Sequence, residues 1–135
     1  MKDKMEHKNK CSLYAPTILR ICVGLLFVLP GLLKLVNPSM VQGMLTQIGF
    51  PSPMFFTWVL ILVEIIGGLM LIVGFKAKYA VWPLVVIMIV AIITTVVPQL
   101  VQSPMAVISL LFHLLAIGSL ISIYLSGPGS CSIKA

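Results

Sequence analysis

A chain of 135 residues is long enough for one domain, and this one is 60% hydrophobic and only 9% charged. A soluble domain carries about 25% charged residues, so most of this surface is built to face lipid rather than water. The net charge of +6 does not point to nucleic acid: Lys2, Lys4, Lys8 and Lys10 crowd the first ten residues, and no Asp, Glu, Lys or Arg lies between Tyr79 and Ile133. A nucleic-acid module needs a basic face on a folded domain, whereas these cations flank apolar segments and suit anionic lipid headgroups.

Residues 1–14 read as a polar, basic tail. The first apolar segment, about 15–36, exceeds a signal-peptide core and is followed by no small-residue cleavage site, so it reads as a retained helix. A shorter stretch follows. Asn37 can cap a helix and Pro38 suits its first position. Met40, Val41, Met44, Leu45 and Ile48 then share one face, and Gly49 can end the turn. This is either an amphipathic helix lying in the membrane interface or a cap packed on the bundle. Further apolar segments span about 53–75, 79–97 and 105–125. Each is long enough to cross roughly 30 Å of hydrocarbon at about 1.5 Å per residue. The second and third are joined by a tight basic turn from Gly74 to Lys78, the third and fourth by a link from Pro98 to Pro104, whose prolines are expected to stop the helices. Residues 126–135 form a second tail.

Short links favour antiparallel neighbours. The expected architecture is therefore an all-α, up-down transmembrane four-helix bundle with one amphipathic helix between the first two spans. With four spans, both termini and the second link share a side. That side holds Lys2, Lys4, Lys8, Lys10, Lys76, Lys78 and Lys134, against Lys34 alone on the other. The excess of cations puts both termini in the cytoplasm of a cell-membrane protein.

Four ionisable side chains interrupt the spans: Arg20, Lys34, Glu64 and His113. A charge at the bilayer centre costs on the order of 2.5–3.5 kcal/mol on insertion scales, so each calls for a partner or a function. Counting about 1.5 Å per residue puts Glu64 and His113 level near the midplane, with Arg20 shallower and Lys34 at the far end. Helical side chains lean toward the helix N-terminus. Arg20 is thereby aimed at the inner headgroups, Lys34 back into the membrane toward Glu64, and a Glu64–His113 hydrogen bond is open if their helices adjoin. The sequence leaves undecided which cation meets Glu64, and a purely structural ion pair is the plain alternative to a functional one. Gly24, Gly31, Gly67, Gly68 and Gly74 read as helix-packing positions. Cys11, Cys22 and Cys131 have no CxxC spacing and read as free thiols. No metal set, phosphate loop or catalytic triad is legible.

The first helix, from Leu19-Arg20 through Gly24 to Pro30-Gly31-Leu32-Leu33-Lys34, resembles the DoxX family of small four-helix membrane proteins. So does the run Val63-Glu64-Ile65-Ile66-Gly67-Gly68 through Gly74-Phe75, and so does Gly127-Pro128-Gly129 after the last helix. The resemblance implies recurrent positions at Arg20, Gly31, Lys34, Glu64 and Gly74. It also implies an association with quinone-linked oxidation in the membrane. Two functional readings follow: a non-catalytic or quinone-interacting subunit of a membrane oxidoreductase complex, and an assembly protein with no chemistry of its own. A proton path through Glu64 and His113 ranks third, since no broken-helix repeat is evident. Expected partners are the bilayer, a membrane or peripheral redox protein, or a second copy; quinone is the one cofactor in view.

Overall fold

The computed structural model describes residues 2–127, with the side chains of Lys2 and of residues 14–127. All regular elements among these residues are helical. They are α1 (Lys2–Val36), α2 (Pro38–Gln47), α3 (Pro53–Val73), α4 (Ala77–Ala91), a π-helical turn (Ile92–Val96), α5 (Val97–Gln102) and α6 (Ala106–Ser126). Four stretches are long and apolar enough to cross a membrane: Tyr14–Val36, Pro53–Val73, Ala77–Gln102 and Ala106–Ser126. At most a third of each is buried inside the protein. The exposed part of the remainder, rich in Leu, Ile and Val, suits contact with lipid.

One period organises the bundle. The inward stripe of α1 runs Thr17, Arg20, Gly24, Phe27, Gly31, Lys34; that of α3 runs Thr57, Ile61, Glu64, Gly68, Leu71. On α4 it is Ala77, Val81, Leu84, Met88, and on α6 Ala106, Ser109, His113, Ala116, Leu120, Ile123. Steps alternating between three and four residues give a 3.5-residue repeat, which keeps one seam facing its neighbours along the whole helix. α1 packs on α3 and α6, α4 packs on α3 and α6, and the backbones of α3 and α6 do not come within 8 Å of each other at Cα. The four spans thus form a ring in which α3 and α6 are diagonal.

The α1–α3 contact is the closest. A Cβ placed on Gly24 would lie 2.7 Å from the Gly68 carbonyl oxygen, and one on Gly68 would lie 2.8 Å from that of Gly24. Gly31 sits against Glu64 and Ile65 in the same manner. Residues 24 and 31 meet 68 and 64–65, so the contacts run in opposite order along the two helices. Gly67, beside Gly68, turns the other way and meets Leu84 of α4. Gly74 has a different role from packing. It adopts φ +80 and closes α3, its N–H donating to the Met70 carbonyl.

Three expectations are corrected. The basic tail is helical: α1 begins at Lys2, and the segment is rich in Lys and has no Gly or Pro before Pro16. Pro98 does not stop the third span. Immediately before it the helix widens by one residue, the Val97 N–H donating to the Ile92 carbonyl, and the chain stays helical to Gln102. A π turn of this kind absorbs the ring and the missing N–H of proline. It also shifts the seam by one position: the spacing of α4 leads to Thr95, yet Val96 is the residue buried to 1% exposure. Finally, Arg20 does not reach for a headgroup layer. It is 1% exposed and enclosed by protein, on the same stripe as buried Thr17.

α2 packs on the bundle, against α3 and α1. Pro38 opens it, though Asn37 accepts from the Ser39 hydroxyl (2.7 Å) instead of capping the helix. Gly49, at φ +74, ends it with paired bonds from Gly49 N–H to Thr46 O and from Phe50 N–H to Leu45 O. Val41 is buried against the bundle while Met40 is exposed. The following loop is held by Phe50 standing edge-on to Phe56 of α3, with centroids 4.8 Å apart. Gly129 and the tail beyond it, with Cys131 and Lys134, lie outside the described residues.

Candidate functional site

Lys34 is in the last turn of α1 and Glu64 near the middle of α3. The Gly31–Ile65 approach brings the two backbones together, and the Lys34 stem leans toward the N-terminus of its own helix. Its Nζ donates to both carboxylate oxygens of Glu64, at 2.7 and 2.9 Å. The Glu64 side chain is 6% exposed and that of Lys34 28%. The cation left open in the sequence is therefore Lys34, and one charge cancels the other.

The pair sits on the wall of a cavity of about 500 Å³. Phe27 and Pro30 of α1 and Val63 of α3 line it beside the pair; Pro83, Ile87 and Met88 of α4 lie opposite. Met44, Leu45 and Ile48 of α2, with Phe50 and Phe56, close one end. Thr94 and Thr95 of the π turn and His113 of α6 add polar groups. Val59, Val86 and Val90 also line it and are exposed on α3 and α4, so the cavity opens sideways onto the lipid-facing surface. Its volume falls in the range of small-molecule sites, about 300–1,000 Å³. A wider hollow of about 770 Å³ between Gln42, Thr46 and Trp58 is a shallow surface depression with no charged group.

His113 shares the cavity with Glu64 but does not bond to it, because α3 and α6 stand on opposite corners of the ring. Instead His113 Nδ1 is 2.7 Å from the Ser109 carbonyl oxygen one turn back. The Thr94 hydroxyl donates to the Val90 carbonyl at 2.7 Å and lies 3.5 Å from that of Thr95. Arg20 is not among the lining residues. Cys22 is a free, exposed thiol, and no cluster of metal-ligating side chains occurs among the described residues.

Arg20, Lys34, Glu64 and His113 were legible as candidates from charge in an apolar run. The two threonines and the phenylalanines were not, since their residue types are ordinary in a membrane helix. A signal for the burial of Arg20 did exist: it is fourteen residues, or two heptads, from Lys34, so both cations fall on one inward stripe.

The sequence profile of the DoxX family matches residues 15–97, more than half of the chain. The chain belongs to the DoxX family. The matched region of this DoxX protein includes Arg20, Lys34, Glu64 and the glycines of the α1–α3 seam, and ends at the π turn. Comparison with curated proteins and with solved structures gives no match.

Proposed function

We propose that this DoxX-family protein is a membrane-embedded subunit of a quinone-linked oxidoreductase, and that its cavity receives the head of the quinone. One observation carries the reading: an apolar chamber, open toward lipid, with a charge-neutral Lys34–Glu64 pair and His113 on its walls. A neutral pair favours a neutral polar head. A phosphate or carboxylate would have to lie beside Glu64, so anionic lipids and fatty acids fit poorly. Aromatic and aliphatic walls suit a flat ring, and a lateral opening suits a ligand that partitions from the bilayer. Lys34 spends two N–H groups on Glu64 and keeps a third for a ligand oxygen. These side chains bind, orient and exchange protons. None of them carries electrons, so the reading assigns electron transfer to a partner protein.

The charge pattern supports a place in the cytoplasmic membrane with both termini inside. One observation favours a second reading, that of a pure assembly protein: the ion pair is complete within the chain and fixes α1 against α3 without any ligand. Native mass spectrometry of protein released in mild detergent from its own membranes separates the two. The quinone reading expects a retained mass equal to a quinone, lost in Glu64→Gln while the melting temperature stays measurable. A retained polypeptide without a small molecule would replace this reading with the assembly one.

A further inference from the structure

The walls of the cavity differ in what they offer a ligand: they present more hydrogen-bond acceptors than donors. A carbonyl oxygen can only accept, so the 2.7 Å contact with the Ser109 carbonyl requires His113 Nδ1 to carry the hydrogen. In the neutral imidazole Nε2, the ring corner farther from its own backbone, is then a bare acceptor. Thr94 has committed its hydroxyl hydrogen to the Val90 carbonyl, which leaves only lone pairs. Against these acceptors stand one remaining N–H of Lys34 and the hydroxyl of Thr95, which has the Thr94 oxygen 3.5 Å away as an acceptor of its own.

A quinone and its reduced form differ in this property. Each quinone carbonyl only accepts; each hydroquinone hydroxyl donates and accepts. We propose that the cavity distinguishes the two redox forms and holds the reduced, hydroxylated one more tightly, with His113 Nε2 as the acceptor that sets the preference. One hydroxyl donates to His113 Nε2, and the oxygen at the other end of the ring accepts from Lys34. The oxidised form would bring a carbonyl oxygen up to a bare nitrogen, acceptor against acceptor. Sites built around one hydrogen bond reject analogues that lack it, because a desolvated group is left unmatched. The inference rests on the quinone reading and deepens it. The couple takes up two electrons and two protons per ring, so a tenfold preference for the reduced form raises the potential of the bound couple by about 30 mV over the free one. His113 is a positioning and specificity group in this scheme; no electron passes through it.

The test is anaerobic calorimetric titration of the full chain in nanodiscs. The probes are one decyl-substituted benzoquinone and the same compound chemically reduced. The expected result is a dissociation constant about tenfold lower for the reduced form. In His113→Phe the preference should vanish through weaker binding of the reduced form, with the oxidised form unchanged. His113→Gln, which presents both an amide donor and an acceptor, should bring the ratio near one and serves where the phenylalanine variant does not fold. Equal constants for the two forms, or tighter binding of the oxidised one, would overturn the redox preference and leave the quinone reading standing. A tenfold preference that survives both substitutions would remove His113 from its role. Failure of the parent chain to bind either form would end both proposals.

Discussion

The α1–α3 seam and the wall formed by α4, the π turn and α6 are built on the same 3.5-residue repeat, yet one is closed and the other is hollow. At the seam, Gly24, Gly31 and Gly68 let the two backbones meet, and nothing larger than a methylene fits between them. Across the ring, the π turn at Ile92–Val96 displaces the helix face by one residue, and Pro83, Thr94, Thr95 and His113 border space instead of filling it. Without a hydrophobic force between helices in lipid, close packing is what holds a bundle together. The closed seam therefore supplies the cohesion that permits a cavity on the other side. The Lys34–Glu64 pair belongs to both regions: it bridges the seam and faces the hollow.

The closed seam is most vulnerable at Gly68. Its Cβ alone would stand 2.6 Å from Val28 Cγ2 and 2.8 Å from the Gly24 carbonyl. Gly68→Leu is expected to cost about 3 kcal/mol or more and to yield no sharp melting transition in detergent. Gly118 has nothing within 4 Å of such a Cβ, so Gly118→Ala should melt with the parent. Equal behaviour of the two variants would sink the idea of a cohesive seam. Next in size, Lys34→Met strands a carboxylate that is 6% exposed, at a cost of about 3 kcal/mol. Adding Glu64→Gln should recover much of that loss, and a double variant no better than the single would show that the pair does not couple the helices. The smallest effect is expected on the hollow side. Thr94→Val deletes one hydroxyl bonded back to its own helix, worth about 1 kcal/mol, and a larger loss in equilibrium unfolding would mean that the π turn carries load of its own.

The four spans, the inward charges and the seam glycines were legible because each departs from the composition around it. A cation in an apolar run or a glycine in a helix stands out without any structure. The identity of the partner to Glu64 was not legible, because Arg20, Lys34 and His113 all lay within reach of it until the ring order put α6 on the diagonal. Pro98 was misread for a physical reason. Proline normally ends a helix by losing one bond and crowding the preceding turn, and a single π turn removes both objections at a place where Ile92-Ile93-Thr94-Thr95-Val96 offers no visible mark. The helical run before Tyr14 was missed because its charges argue only that it lies outside lipid, which says nothing against a helix.

The extra residue and the retained proline have a consequence for the membrane itself. The stretch from Ala77 to Gln102 has 26 residues, whereas Pro53–Val73 and Ala106–Ser126 have 21 each. At about 1.5 Å per residue that is about 39 Å against about 32 Å. One helix of the ring is thus longer than the hydrocarbon slab its neighbours match, and it must tilt across the slab or stand out of it. The same helix carries one wall of the cavity, so bilayer thickness acts directly on the angle of that wall. A thinner or thicker bilayer is therefore expected to change the tilt of this helix, and with it the shape of the chamber.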